Sequence, residues 1–125
     1  MRMNASMKTG AEGEALVISE LTRKGWAVAK PILDFGVDLL ACKIDNGKIR
    51  TMAIQVKTVT KKSHGNNTCY GVNVDKIIDG VHYIIVCPRI PEYTILTSEQ
   101  VKKKPHLHRG RHSEWQEGIV QWDSL

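Results

Sequence analysis

Two stretches of alternating apolar and polar residues, joined by a short polar segment, predict a β-hairpin in the first half of the chain. The first strand covers residues 34–42 and the second covers residues 50–59, with Asp45-Asn46-Gly47 between them. An Asn-Gly pair between two such runs is typical of a tight hairpin turn, because both residues accept a positive φ angle. The two strands are therefore expected to lie side by side in one sheet.

Polar residues interrupt this hairpin at three positions. Asp38 breaks the apolar run of the first strand, and Gln55 and Lys57 stand two residues apart on the second. Because alternate side chains of a strand share a face, Gln55 and Lys57 project together while Val56 points the other way. A carboxylate, an amide carbonyl and an amine on neighbouring strands form a candidate site for a hard cation and a water. Asp34 is the rival carboxylate, but its place near the strand start favours Asp38.

An apolar period of three to four residues predicts a helix over residues 9–24. Thr9-x-x-Glu12 is the pattern of a capping box, and Gly25 marks the end of the helix. Glu14 lies on the apolar face, where a carboxylate must be paired, protonated or bound to a metal. Alternatively, Glu14 lies at the edge of the first turn and is partly solvated. The apolar stripe itself consists of Val17, Ile18 and Leu21.

The rest of the pattern completes an α/β domain. Thr97-x-x-Gln100 predicts a short helix that Pro105 ends, and Ser113-x-x-Gln116 predicts a last helical turn. We expect one domain over residues 1–125, with a core at about 8–96 and a basic C-terminal segment at 97–125. Its architecture is an N-terminal helix followed by a central mixed sheet of four to five strands flanked by helices. Further strands are predicted at residues 26–29, 82–87 and 92–96, with an extended piece at 68–74 and a helical turn at 75–79.

The composition places the chain among ordinary globular proteins, with 42% hydrophobic and 25% charged residues. No apolar run approaches about 20 residues, and residues 1–10 lack the apolar centre of a signal peptide, so we expect a cytoplasmic protein. Three cysteines without a Cys-x-x-Cys pair, Cys42, Cys69 and Cys87, are expected to be buried free thiols. Trp122 is expected to pack as an anchor for the C-terminus, with stacking on a base as its other role.

A net charge of +5 favours phosphate backbones or anionic surfaces as partners. The positive charge is concentrated in two segments, which otherwise would be solvated surface loops. Between the histidines of the second segment, 106, 108 and 112, lie arginines that disfavour a cation, so we expect a basic loop there. The candidate nucleic-acid-binding residues are Lys61 and Lys62 in the first segment and Lys102, Lys103, Lys104, Arg109 and Arg111 in the second.

The order of these elements resembles the PD-(D/E)XK nuclease superfamily. The resemblance rests on a helix carrying Glu14, then Asp38, then Gln55-Val56-Lys57 on the next strand, and it runs from about residue 8 to residue 58. The pattern is most similar to the Gln-x-Lys branch seen in Mrr-type restriction enzymes and some intron-homing endonucleases, with Holliday-junction resolvases as more distant relatives. Gln55 replaces the usual acid, and Pro31 is separated from Asp34, so the literal Pro-Asp pair is absent.

The resemblance implies a restriction-endonuclease-like fold and a metal-dependent endonuclease that hydrolyses phosphodiester bonds of DNA, acting as a homodimer. Mg²⁺ or Mn²⁺ would be held by Asp38, the Gln55 amide oxygen, the Val56 carbonyl and Glu14, directly or through water. Lys57 would orient the attacking water or stabilise the transition state. A neutral Gln55 is expected to weaken metal binding and to leave Lys57 without a neighbouring carboxylate, which eases a role as general base.

Two other functions remain open at this point. The chain could be a nucleic-acid-binding or regulatory protein that keeps a nuclease fold without turnover, an alternative that Gln55 favours. It could also be a small protein-interaction module such as a toxin or immunity factor, in which case it would bind no nucleic acid at low salt.

Overall fold

The structure, a computed structural model, describes residues 4–33, 35–59, 69–72, 74–108 and 113–125. A long N-terminal helix precedes the strands, and two shorter helices lie on either side of the last strand. In chain order the elements are α1 (Ala5–Arg23), β1 (Ala27–Ala29), β2 (Leu39–Asp45), β3 (Lys48–Thr58), β4 (Cys69–Gly71), a 3₁₀ turn (Val74–Lys76), β5 (Val81–Cys87), β6 (Glu92–Leu96), α2 (Ser98–Lys103), β7 (His106–His108) and α3 (Ser113–Asp123).

The central sheet has five strands in the order β1-β2-β3-β5-β6. The central pair, β3 and β5, is parallel, whereas the other neighbouring strands of this sheet are antiparallel. The sheet is therefore mixed, as predicted from the sequence. A separate two-stranded sheet pairs β4 with β7. Residues 106–108, which were expected to belong to a basic loop, thus form a strand.

The predicted hairpin is confirmed at its turn. Asp45 pairs with Lys48, and the two residues between them, Asn46 and Gly47, have φ angles of 52° and 75°. Two successive positive φ angles are the geometry of the tight turn that matches the twist of paired strands. The first strand of the hairpin, β2, begins at Leu39 and not at residue 34 as predicted, because Gly36 with a φ angle of 88° interrupts the extended backbone.

The first helix begins earlier than the sequence indicated. Asn4 caps it, since the Asn4 side chain accepts a hydrogen bond from the Met7 N–H at 2.8 Å. The capping box predicted at Thr9 is wrong, because Thr9 lies inside the helix and its hydroxyl donates to the Ala5 carbonyl. The predicted end at Gly25 is confirmed by a φ angle of 94° there.

Buried side chains form one layer on each face of the central sheet. The layer beneath α1 contains Val17, Leu21 and Ile54, and the layer on the other face contains Tyr83, Ile85, Val101 and Trp115. The predicted anchoring role of Trp122 agrees with its burial and with its stacking on Tyr93, at 4.8 Å between ring centroids. The core thus receives residues beyond position 96, because α2 and α3 supply Val101, Trp115 and Trp122.

The cysteines differ from expectation. Cys87 is a buried free thiol, as predicted, but Cys42 is exposed. Cys42 alternates along β2 with Ala41, which packs in the layer beneath α1, so Cys42 points to the opposite face. The side chain of Cys69 and all of Asp34 lie outside the described residues. Within the described ranges, no helix is both long and apolar enough to cross a membrane.

Candidate active site

Asp38 is held against β3 by two hydrogen bonds. Its backbone N–H donates to the Ile54 carbonyl at 2.8 Å, and its carboxylate Oδ2 accepts from the Val56 N–H at 2.7 Å. These two partners flank Gln55 in the chain. The carboxylate is therefore fixed beside the Gln55-Val56 backbone, as the predicted hairpin required.

Gln55 and Lys57 share one face of β3. They alternate with Ile54 and Val56, which pack in the layer beneath α1, whereas Ala53 packs in the layer on the other face. Both polar residues are half-buried, and they pair with Tyr83 and Ile85 of β5 in parallel register. The predicted common projection of Gln55 and Lys57 thus agrees with the packing on either side of the sheet.

Glu14 reaches the same end of β3 from the helix. A cleft of about 410 Å³ lies between the first turns of α1 and the end of the strand. Gly13 permits this close approach, because a Cβ at that position would lie 1.8 Å from the Thr58 hydroxyl oxygen. The cleft is lined by Ser6, Thr9 and Glu14 from the helix and by Val56, Lys57 and Thr58 from the strand.

Lys30 is a site residue that the sequence analysis missed. Its Nζ lies 3.0 Å from Glu14 Oε1, and the Glu14 side chain is 27% exposed. Glu14 is thus a partly solvated carboxylate paired with a lysine, which combines both alternatives left open by the sequence. The pair joins the residue after β1 to the middle of α1. Neither helical nor strand periodicity predicts such a contact between two elements.

The oxygen donors of the candidate site are of the types that suit a hard cation. Asp38 and Glu14 offer carboxylates, and Gln55 and the Val56 backbone offer neutral carbonyl oxygens, the ligand types that Mg²⁺ and Mn²⁺ prefer. Within the described part of the chain, however, no three His, Cys, Asp or Glu residues are grouped closely enough to hold a metal ion. Any ion here would depend on neutral ligands and water for most of its coordination.

The predicted DNA-binding lysines and arginines divide into those that the structure describes and those that lie outside the described residues. Lys102, Lys103 and Lys104 are exposed at the end of α2, which packs against β5 and β6, and they are not among the described residues lining the cleft. Lys102 pairs with Asp79, and this hydrogen bond raises the pKa of the lysine. The other candidates, Lys61, Lys62, Arg109 and Arg111, lie outside the described residues, as does Asp34.

The fold is shared with a solved nuclease. The chain is similar in structure to the bacterial homing endonuclease I-Ssp6803I, with a TM-score of 0.65 over 99% of this chain and 100% of that chain. The sequences are 17% identical, so the likeness shows the fold alone. This fold confirms the predicted α/β class with its N-terminal helix and mixed sheet. No family model matches the sequence, and no curated protein matches it.

Proposed function

We propose that this protein is a metal-dependent DNA endonuclease of the Gln-x-Lys branch of the PD-(D/E)XK superfamily. The observation that carries the proposal is the hydrogen bond from the Val56 N–H to the Asp38 carboxylate, which places an acid beside Gln55 and Lys57. Glu14 lines a cleft with Val56 and Lys57 on the helix side of the same strand. Similarity to a protein described as a homing endonuclease adds support at the level of the fold.

Asp38, Gln55, the Val56 carbonyl and Glu14 would hold Mg²⁺ or Mn²⁺. When bound, the ion polarises the phosphate and lowers the pKa of a bound water. The bond from Val56 fixes the Asp38 carboxylate before any substrate arrives, so little reorganisation is needed during the reaction. Lys57 is half-buried at the cleft, where its ammonium group would orient the attacking water or donate a hydrogen bond to a phosphate oxygen.

Gln55 distinguishes this site from one with a third acid. The formal charges of Asp38 and Glu14 are balanced by those of Lys57 and Lys30, so the cluster offers a cation no net negative charge. We therefore expect weak metal binding by the free protein, with cleavage that depends on millimolar metal. Calorimetry showing tight binding of Mg²⁺ or Mn²⁺ without DNA would contradict this expectation.

A second candidate function is DNA binding without turnover. It is favoured by the pairing of Glu14 with Lys30 and by the missing third acid among the described residues. Such a protein would bind DNA with a strong dependence on salt but would respond little to divalent metal.

We further propose that the active unit is a homodimer. One copy of this chain carries one candidate active site, and cleavage of both strands of a duplex is most simply achieved by two sites related by a twofold axis. Sedimentation of the protein alone and with duplex DNA tests this assembly. A monomer in both conditions would contradict it without affecting the chemistry proposed for the site.

Cleavage of a panel of labelled DNAs tests the nuclease proposal. The panel comprises plasmid, linear duplex, four-way junction and single strand, each with Mg²⁺, Mn²⁺ or EDTA. The wild type is compared with Lys57→Ala and with Lys48→Ala, a control lysine at the opposite end of the same strand. We expect metal-dependent cutting by the wild type and by the control, and a loss of about a hundredfold or more in Lys57→Ala. Equal DNA binding by all three without cutting would favour the second function.

A further inference from the structure

Three large apolar side chains are exposed on the segment that joins β1 to β2. Ile32 is 100% exposed, Leu33 76% and Phe35 60%. Scattered apolar residues are normal on a protein surface, but three within four consecutive positions form a local patch that requires an explanation. We call Ile32, Leu33 and Phe35 the apolar loop.

Both ends of this segment are attached to the candidate active site. Lys30 precedes the loop and pairs with Glu14 at 3.0 Å. Asp38 follows it and accepts a hydrogen bond from Val56 at 2.7 Å. Glu14 and Val56 both line the cleft. The residues at both ends of the apolar loop, Lys30 and Asp38, thus contact residues of the cleft.

The segment is also anchored beneath the loop. Val37 is buried in the layer that contains Tyr83 and Trp115, and Gly36 has a φ angle of 88°, with a Cβ at that position expected only 2.7 Å from Ile78 Cδ1. These contacts anchor the backbone at Gly36 and Val37, directly after the apolar loop, while the three side chains remain in solvent.

We infer that the apolar loop inserts into the DNA substrate as a wedge that unstacks a base step beside the cleavage site. This inference rests on the proposed nuclease function. Ile, Leu and Phe are among the side chains that proteins insert between base steps to kink a duplex. Lys57 at the cleft and Lys30, whose side chain is 65% exposed while it pairs with Glu14, would supply positive charge for nearby phosphates.

The position of the loop favours DNA over a protein partner. Both attachments of the segment end on residues that line the cleft, Glu14 and Val56, so a partner that covered these side chains would lie close to the cleft. A protein there would obstruct the cleft, whereas a DNA substrate must enter it. The wedge also implies a preference among substrates, because pyrimidine–purine steps and mismatched pairs are the easiest to unstack.

Fluorescence of 2-aminopurine, which rises when the base is unstacked, tests the wedge. A set of otherwise identical duplexes carries the probe at successive positions, and EDTA prevents cleavage. The wild type is compared with Ile32→Ser and Phe35→Ala, and with Ile44→Ser as a control, because Ile44 is 76% exposed on the β2–β3 hairpin away from the cleft. Affinity and sedimentation are measured on the same samples.

We expect the wild type and the control to raise the fluorescence at one step, and each loop variant to lose this signal with roughly tenfold weaker binding. DNA that is bound and cut without any rise in fluorescence would overturn the wedge and leave the nuclease proposal standing. Absence of DNA binding by the wild type at low salt would overturn both. A dimer lost only in the loop variants would show that a second copy of the chain covers the loop, which also overturns the wedge.

Discussion

Asp38 combines a structural and a chemical role that substitution can separate. Asp38→Asn keeps an oxygen that can accept the hydrogen bond from the Val56 N–H but removes the negative charge. We expect its free energy of unfolding to change by less than about 1 kcal/mol, because the bond remains. Cleavage should fall by about a hundredfold or more, since the negative charge beside Gln55 is lost. Urea unfolding and a cleavage time course measure the two effects.

Asp38→Ala provides the matched comparison. It removes the acceptor as well as the charge and leaves the partly buried Val56 N–H without this partner. An unsatisfied donor of this kind costs about 1–3 kcal/mol of stability. If the two variants were equally stable, the hydrogen bond from Val56 would not be what holds the start of β2 against β3.

The burial of His82 predicts how the free energy of unfolding changes with pH. It lies on β5 with its Nδ1 buried and without a hydrogen-bond partner among the described residues. Burial lowers the pKa of His82 below its usual 6.5, and the negative charge of Glu99 opposes this in part. The unfolded chain therefore takes up the proton more readily than the folded one, so stability is lost as pH falls through 6.5 towards the folded pKa.

The variant His82→Gln removes this titration. Urea unfolding at about pH 7.5 and about pH 5.5 should show a smaller loss of stability for the variant than for the wild type. A loss of equal size in both proteins would mean that other groups, such as paired carboxylates, dominate the acid side of the profile.

The packing of α1 on β3 depends on Gly13. A Cβ there would lie 1.8 Å from the Oγ1 of Thr58 and 2.9 Å from its Cβ, so a change of rotamer alone does not relieve the contact. We expect Gly13→Ala to lower the free energy of unfolding by about 1–3 kcal/mol, despite the higher helix propensity of alanine. It should also reduce cleavage, because the displaced contact lies between the cleft residues of α1, Glu14 among them, and those at the end of β3.

Gly10→Ala is the control on the same helix. Among the described residues, no atom outside the backbone of α1 itself lies within 4 Å of the position that its Cβ would occupy. The substitution should therefore stabilise the protein by up to about 1 kcal/mol through helix propensity alone. Denaturant titrations of both variants give the comparison, and equal changes in the two would contradict a specific contact at Gly13.

The elements that depend on neighbouring residues could be predicted from the sequence. The Asn46-Gly47 turn, the end of α1 at Gly25 and the capping box of α2 at Thr97 each follow from local chemistry. The predicted start of α1 at Thr9 is wrong because two capping patterns compete, and the cap at Asn4 begins the helix earlier than a cap at Thr9 would. Local periodicity contains no information to rank one cap above another when both precede a helical stretch.

The whole sheet and the full site depend on contacts between distant residues. The sequence indicates only that β3 and β5 belong to one sheet. It does not show that they pair in parallel, since residues 59–80 separate the two strands. Asp38, Gln55 and Lys57 were predictable because one hairpin joins them. Lys30 was not, because its pairing with Glu14 requires the end of β1 to lie beside α1.

At the scale of the whole molecule, the net charge of +5 predicts DNA binding that weakens with salt. Each lysine that neutralises a phosphate contributes about 0.9 to the slope of log affinity against log salt. If the exposed Lys103 and Lys104 contact DNA, the double alanine variant should reduce this slope by about 2. Fluorescence anisotropy with a labelled duplex over a range of salt concentrations measures the slope.

The control for this prediction removes the same charge elsewhere. Lys24 lies at the C-terminal cap of α1, and Lys48 lies at the start of β3, the end of that strand opposite to Lys57. Their double alanine variant has the same net charge as the first but should keep the wild-type slope. A slope reduced equally in both variants would mean that the total charge of the protein attracts the DNA, and not a specific contact by Lys103 and Lys104 at the end of α2. An unchanged slope in both would mean that other basic residues, such as Lys30 and Lys57 or the remaining candidates Lys61, Lys62, Arg109 and Arg111, make the phosphate contacts.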